Sequence, residues 1–345
     1  MAQLHFHSLV LETTDRCNAK CGMCYQSAAP HGSDVRGDFH LPLEVSLRVV
    51  EEASELKEVE SRVHVSGGEA FLYYDETLSI LSHAKTLLFR NIGSTTNGFW
   101  ATNDVVAERR CLELLDAGLD YLEVSLDYWH APYVSLDRIK TLLAAARHTG
   151  IKVILRTLSS RSHHIDDLLQ SFSAADLLHV TVANGRVHPV GRAAEEVPGS
   201  EIYFGDTNGC CERMLNLTIA PNGNVYPCCA GADMTESMSS GNVRHISLKD
   251  ALFNMKTDRT IREVIHAGSG ALIPIIKELG YADRLRPQYS SICHLCWDIF
   301  KDKELAAALR KYFEDDYFEK LVDFMQSPPL APALTEITPP AAELT

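Results

Sequence analysis

The chain has 345 residues, 46% apolar and 23% charged, the mix of a folded globular protein and not of a disordered or fibrous one. Lys and Arg number 32 against 46 Asp and Glu, a formal net charge of −14, which disfavours a general nucleic-acid binder and a binder of anionic membranes. At about 150 residues per domain the length suggests roughly two domains.

No apolar run approaches the ~18–20 residues of a membrane span. The opening Met-Ala-Gln-Leu-His-Phe-His lacks the basic start and apolar core of a signal peptide, so a cytoplasmic, reducing compartment is expected. Residues 8–13 form a short apolar run ending in Thr14-Asp15-Arg16. A helix is predicted over 42–59, with Leu43, Leu47, Val50 and Ala53 on one face. Strand, helix and strand follow over 62–66, 76–88 and 91–95. Asn103 and Gly118 bracket a helix over 103–117 as N-cap and C′ residue. The alternation continues with strands over 121–126, 152–157 and 178–183 and helices over 136–149 and 164–172. About six strand–helix units in a row predict an α/β fold, a partial (β/α)6 TIM-like barrel with parallel strands, whose chemistry gathers at the strands' C-terminal ends.

The pattern breaks near 199–208. Two short strands, 217–220 and 225–227, surround Pro221-Asn222-Gly223-Asn224 and read as a β-hairpin. The stretch 239–287 is partly helical. Residues 302–326 form an amphipathic helix pair or one long helix, and 327–345 read as a disordered tail. The expected organisation is therefore a barrel over 1–205, a small β-hairpin/α domain over 206–300, a C-terminal helix over 301–326 and the tail.

Ten cysteines sit mostly in tight groups: Cys17, Cys21 and Cys24; Cys210 and Cys211; Cys228 and Cys229; Cys293 and Cys296, with Cys111 apart. In a reducing cell clustered thiols more often hold metal than form disulfides. Cys17-x-x-x-Cys21-x-x-Cys24 offers three thiolates to one point, an incomplete shell. A cubane iron–sulfur cluster held this way keeps one iron open. A zinc site borrowing a later cysteine is the alternative, and a non-catalytic zinc scaffold is the rival of another class.

Cys17-Asn18-Ala19-Lys20-Cys21-Gly22-Met23-Cys24-Tyr25 resembles the signature loop of the radical S-adenosylmethionine (SAM) superfamily, including the aromatic Tyr25. Ser66-Gly67-Gly68-Glu69 resembles its GGE motif, although Ala70 stands where Pro is usual. Thr96-Asn97-Gly98, Ser125-Leu126-Asp127 and the run His188-Pro189-Val190-Gly191-Arg192-Ala193 are similar to further family patterns. The resemblance implies a [4Fe–4S] cluster on Cys17, Cys21 and Cys24 that chelates SAM and cleaves it to a 5′-deoxyadenosyl radical. It implies SAM contacts from Tyr25, Gly67, Gly68, Glu69, Asn97, Ser125, Asp127 and Val190. Arg156 could pair with the SAM carboxylate or form only a surface ion pair.

Gly223-Asn224-Val225-Tyr226-Pro227-Cys228 resembles the SPASM/twitch extensions of this superfamily. That implies an auxiliary [4Fe–4S] cluster on Cys210, Cys228, Cys293 and Cys296, with Cys211 as the alternative to Cys210 and structural zinc as the other reading. Four fillable positions suit the smaller, one-cluster twitch form. Cys111 is expected to be inert core, and Cys229 is the candidate hydrogen-atom donor to a substrate radical, as in radical epimerases. Peptide modification (crosslink, epimerisation or thioether) is the expected activity, although peptide maturases often carry a leader-binding extension and Cys17 comes almost at once. Oxidation or epimerisation of a sugar or aminocyclitol is the alternative. An electron donor such as flavodoxin or ferredoxin is the implied partner. His5, His7, His163 and His164 show no metal spacing with partners in the sequence.

Overall fold

The computed structural model describes residues 4–211, 215–229 and 231–326. Strands β1 (Leu9–Glu12), β2 (Arg62–Ser66), β3 (Asn91–Thr96), β4 (Tyr121–Ser125), β5 (Lys152–Ser159) and β6 (Val180–Arg186) pair in parallel, in chain order. The crossovers contain α1 (Leu43–Ser54), α2 (Tyr74–Thr86), α3 (Asp104–Asp116), α4 (Leu136–Thr149) and α5 (Ile165–Leu169). The expected partial barrel is the observed architecture.

Local chemistry explains the boundaries. Asn103 caps α3 by accepting from Val106 N at 3.0 Å. Gly150 ends α4 in the left-handed region at φ 88°, which a glycine adopts without strain. Helix α1 stops at Ser54, short of the expected 59, where the chain turns to reach β2. Helix α2 starts earlier than expected, after a 3₁₀ turn over Ala70–Tyr73 that Glu69 caps.

The strand period of two separates two faces. Val63, Val65, Leu122, Val124, Val153 and Leu155 are fully or nearly fully buried in the main apolar core. The alternate residues His64, Ser66, Tyr121, Glu123, Ser125 and Arg156 line an interior cavity. One face builds the core and the other builds a polar chamber.

Helix α6 (Ala193–Glu196) follows β6. Strands β7 (Leu217–Ile219) and β8 (Val225–Tyr226) form the expected hairpin, with Gly223 at φ 91° in its turn. The hairpin does not stand apart. β7 pairs in parallel with β1, giving one eight-stranded sheet in the order β6-β5-β4-β3-β2-β1-β7-β8. Helices α7 (Leu248–Thr257), α8 (Arg259–Ala267), α9 (Leu272–Glu278), α10 (Ile292–Lys301) and α11 (Lys303–Gln326) complete the described chain. Helix α11 is single and long, and the expected tail over 327–345 lies outside the described residues. Among the described residues no helix is long and apolar enough to cross a membrane.

Candidate active site

The loop after β1 gathers Cys17, Cys21 and Cys24. Cys17 N donates to Ala29 O at 3.0 Å, and Cys24 N closes a turn on Cys21 O at 3.1 Å. Cys17 and Cys21 are buried and Cys24 is half-buried. The loop is pinned from across the barrel by Arg192, whose side chain is 2% exposed. Its guanidinium donates to the carbonyls of Cys21 at 3.0 Å, Ser27 at 2.6 Å and Ala28 at 2.9 Å, and to the Asp34 carboxylate at 2.8 Å. Its backbone N–H donates to Cys24 O at 3.1 Å.

Gly67 and Gly68 lie against the strand end that feeds this loop. A Cβ on Gly68 would meet Arg16 O at 2.3 Å, so the backbones approach as only glycine permits. Gly68 N donates to Thr14 O at 2.7 Å and Glu69 N to Arg16 O at 2.9 Å.

A cavity of about 560 Å³ joins these parts. It runs from Cys17, Cys21, Cys24, Glu69, Asn97 and Asp127 at the C-terminal strand ends to His7 and Arg62 at the opposite ends. Tyr25, Gly67, Gly68, Ser125, Arg156 and Cys229 also line it, so the structure collects nearly every expected SAM contact in one chamber. Val190 lies outside that lining; it is buried beside Gly231.

Glu69 is 2% exposed and accepts from Phe71 N, from Thr96 Oγ1 at 2.9 Å and from Asn97 N at 2.7 Å. Burial pushes its carboxyl up to about 7 against those three donors. Asn97 reaches back to the cysteine loop, donating from Nδ2 to Asn18 Oδ1 at 2.8 Å and to Cys17 Sγ at 3.8 Å. Asp127 Oδ1 accepts from the backbone N–H groups of Trp129 and His130 and meets His130 Nδ1 at 2.9 Å. Burial opposes the charged imidazole, but Asp127 and a hydrogen bond to Cys21 leave His130 well above its ordinary value. Sequence reasoning missed His130; its signal was the i, i+3 spacing from Asp127. Arg156 is held by Glu123 through Nε at 3.2 Å and Nη2 at 2.7 Å. His64, also missed, bridges the Tyr121 hydroxyl at 3.0 Å and Thr95 Oγ1 at 2.7 Å on the chamber wall.

A buried ionic group lies behind Tyr25 and Cys229. Glu12 Oε1 accepts from the Tyr25 hydroxyl at 3.0 Å, and its Oε2 accepts from Arg36 at 2.9 Å. Arg36 also donates to Asp15 at 2.9 Å and lies 3.7 Å from Asp233. All three carboxyl side chains are fully buried. Burial and Glu12 push Asp233 well up, and burial pushes Asp15 up to about 6 against the pull of Arg36.

The second cysteine set forms where α10 meets the segment after Phe204. After burial, Cys211 and Cys293 push the Cys296 thiol up, and Cys293 and Cys210 push that of Cys211 up. Cys211 is anchored by its N–H to Ile265 O at 2.9 Å, whereas Cys210 is exposed. Cys229 lines the chamber; its charged neighbours are Asp233, which also neighbours Cys293, and Glu12, and Asn216 Nδ2 lies 3.9 Å from its sulfur. Cys111 is fully buried in the core, as expected.

The donor chemistry fits iron–sulfur clusters. None of the ten cysteines is in a disulfide. Burial pushes the thiols of Cys17, Cys24, Cys293 and Cys296 up, so thiolates at these positions need a cation. Among the described residues no three cysteine sulfurs lie within 4.8 Å of one another.

Comparison with known proteins agrees. Residues 11–179 match the Radical SAM superfamily, and residues 210–297 match SPASM, an iron-sulfur cluster-binding domain. The "Putative peptide biosynthesis protein YydG" of Bacillus subtilis (strain 168) is 22% identical over 311 residues, covering 88% of this chain and 95% of that one. A GTP 3',8-cyclase of Aeromonas hydrophila subsp. hydrophila is 34% identical over 124 residues, 35% of this chain and 34% of the cyclase. Among solved structures, native anSMEcpe with bound AdoMet superposes with a TM-score of 0.51 at 14% identity, covering 92% of this chain and 98% of that one. BtrN in complex with AdoMet and 2-DOIA gives 0.50 at 16% identity, covering 79% and 91%. These likenesses establish a shared fold.

Proposed function

Because the chain belongs to the radical SAM superfamily and carries a SPASM iron–sulfur domain, we propose that it modifies a peptide, epimerising a residue with Cys229 as the hydrogen-atom donor. Membership of an enzyme superfamily displaces the zinc scaffold. The observation that carries the reading is that Cys229 lines the same chamber as Cys17, Cys21 and Cys24, whereas Cys211, Cys228, Cys293 and Cys296 do not line it. The name of the Bacillus relative supports a peptide substrate.

Cys17, Cys21 and Cys24 would hold the SAM-binding [4Fe–4S] cluster. Cys211, Cys228, Cys293 and Cys296 would hold the auxiliary one, with Cys211 preferred to Cys210 because of its place beside Cys293 and Cys296. When bound, these groups supply a low-potential electron and a 5′-deoxyadenosyl radical that takes a substrate hydrogen. Gly67 and Gly68 line the chamber and would let the backbone come close to the methionine end of SAM. Glu69 offers an acceptor to its ammonium, and Ser125, Asp127 and Asn97 offer partners to its ribose. Tyr25 lines the chamber beside the loop, whereas Val190 is buried outside that lining. Arg156, held by Glu123, offers a guanidinium to a carboxylate.

The Cys229 thiol then gives its hydrogen atom to the substrate carbon radical from the opposite face. The carbon regains a C–H bond with inverted configuration, and the sulfur is left as a thiyl radical. One electron from a ferredoxin- or flavodoxin-class donor and one proton restore the thiol.

The polar wall of His64, Tyr121, Glu123 and Arg156 favours a second reading, oxidation or epimerisation of a sugar or aminocyclitol. The test is turnover of the cluster-loaded enzyme in D2O with SAM, reductant and peptides encoded beside its gene. Solvent deuterium at an α-carbon, abolished in Cys229→Ala while 5′-deoxyadenosine still forms, is the expected result. Epimer formed with the same deuterium content by Cys229→Ala overturns the assignment. Turnover of sugars alone favours the second reading.

A further inference from the structure

We propose that His5, His7 and Glu60 form a binding site for a divalent transition-metal ion of the zinc class, adjoining the barrel chamber and separate from both cysteine sets. His5 and His7 flank the fully buried Phe6, and both imidazoles turn to the same carboxylate oxygen, Glu60 Oε1. The backbone fixes their third partner. Phe6 N donates to Glu58 O at 2.7 Å, Glu60 N donates to Phe6 O at 2.8 Å, and Phe6 and Val59 form a parallel bridge. This pairing carries Glu60 to the two imidazoles from 53 residues away in sequence.

The distances suit coordination. His5 Nε2 lies 3.0 Å and His7 Nδ1 3.1 Å from the same oxygen, Glu60 Oε1. The ligand atoms of all three residues lie within 4.8 Å of one another. With metal–ligand bonds of about 2.0–2.1 Å, neighbouring donors around one ion are roughly 2.9–3.4 Å apart. The two His–Glu separations, here spanned by hydrogen bonds, match edges of such a polyhedron, so an ion would replace the bridging proton with little movement of the carboxylate.

The donor set selects the ion. Two imidazole nitrogens and one carboxylate oxygen suit zinc or cobalt(II) better than calcium or magnesium. Three protein ligands leave a position for water or a ligand oxygen. Arg62 Nε, 3.5 Å from Glu60 Oε2, orients the carboxylate through the oxygen that the histidines do not use. The half-open setting lets water offset the charge that Arg62 adds. Of the three ligands only His7 lines the chamber, as does Arg62, so the site adjoins it, and a free coordination position would take water or a carboxylate oxygen of a bound molecule.

The test uses untagged enzyme loaded with both clusters, so that the cysteines are occupied. Wild type, His7→Ala and Glu60→Gln, matched for iron, are titrated anaerobically with Zn2+ by calorimetry and then dialysed and analysed for zinc and iron. The three side chains are about a third exposed or more, so neither substitution threatens the core. The expected result is one zinc per chain in wild type, lost in both variants, with iron unchanged. Equal zinc uptake by wild type and both variants overturns the proposal, as does zinc uptake matched by iron release, which would place the zinc on the cysteines.

Discussion

Arg192 donates a hydrogen bond from its buried guanidinium to the carbonyl oxygen of Cys21 at 3.0 Å. The residue that follows β6 thus holds the loop that follows β1, and the first and last thirds of the barrel meet at the cysteines. Replacing it strips a donor from each of the buried carbonyls of Cys21, Ser27 and Ala28; Cys21 O keeps Cys24 N and Ser27 O keeps Asp34 N, so the penalty of about 1–3 kcal/mol for a buried carbonyl without a donor falls on Ala28. Arg192→Ala is expected to lose about that much stability and the first cluster's iron while keeping the auxiliary iron. Arg192→Lys is expected to rescue only part, because one ammonium cannot span the same set. Iron and sulfide analysis with thermal unfolding checks both.

Gly68 predicts a steric failure at the same loop. A Cβ there meets backbone, Arg16 O at 2.3 Å, which cannot swing aside. Gly68→Ala is expected to cost about 1–3 kcal/mol by overpacking. Less iron after reconstitution and a lower unfolding midpoint are the readouts.

The auxiliary set gives a discriminating pair. Cys211 lies with Cys293 and Cys296, and Cys210 is exposed. Cys211→Ala is expected to lose about four irons per chain, the content of one cubane, and Cys210→Ala to lose none. The reverse pattern makes Cys210 the ligand.

Glu69 gives a pH dependence. Its ordinary carboxyl value of 4.5 rises to about 7 in the folded chain, with burial the main cause. Between those values the folded state binds more protons than the unfolded state, so stability falls as pH rises from 4.5 to 7. Below 4.5 the contribution is fully present. Glu69→Gln is expected to carry a fixed offset from its altered hydrogen bonds and to lose this slope. Unfolding midpoints of both proteins across that window check it: the wild-type line should fall and the variant's should stay flatter.

Much of this was legible because the signals are local. Asn103 announces the start of α3 by its own side chain, and Gly150 the end of α4 by its backbone freedom. The period of two in β2 and β4 separates core from chamber without reference to any distant partner. What stayed hidden depends on such partners. Arg192 was visible in a motif, but its role needs carbonyls more than 160 residues away. The resemblance puts Cys210 ahead of Cys211, but neighbours on an irregular segment face different ways, and which of them meets α10 is not written in the spacing. His5 and His7 lacked a third ligand until the bridge between Phe6 and Val59 brought Glu60 beside them. The parallel pairing of β7 with β1 was equally hidden, because a hairpin turn specifies its own two arms and not the edge on which they dock.

SAM cleavage at Cys17, Cys21 and Cys24 is tested most directly by one assay. Wild type and the Cys17→Ala/Cys21→Ala/Cys24→Ala variant, both reconstituted anaerobically, are given SAM and reductant, and 5′-deoxyadenosine is measured against iron content. Wild type is expected to form it, and the variant to form none while keeping the auxiliary iron. A folded variant that forms 5′-deoxyadenosine at the wild-type rate would contradict the assignment.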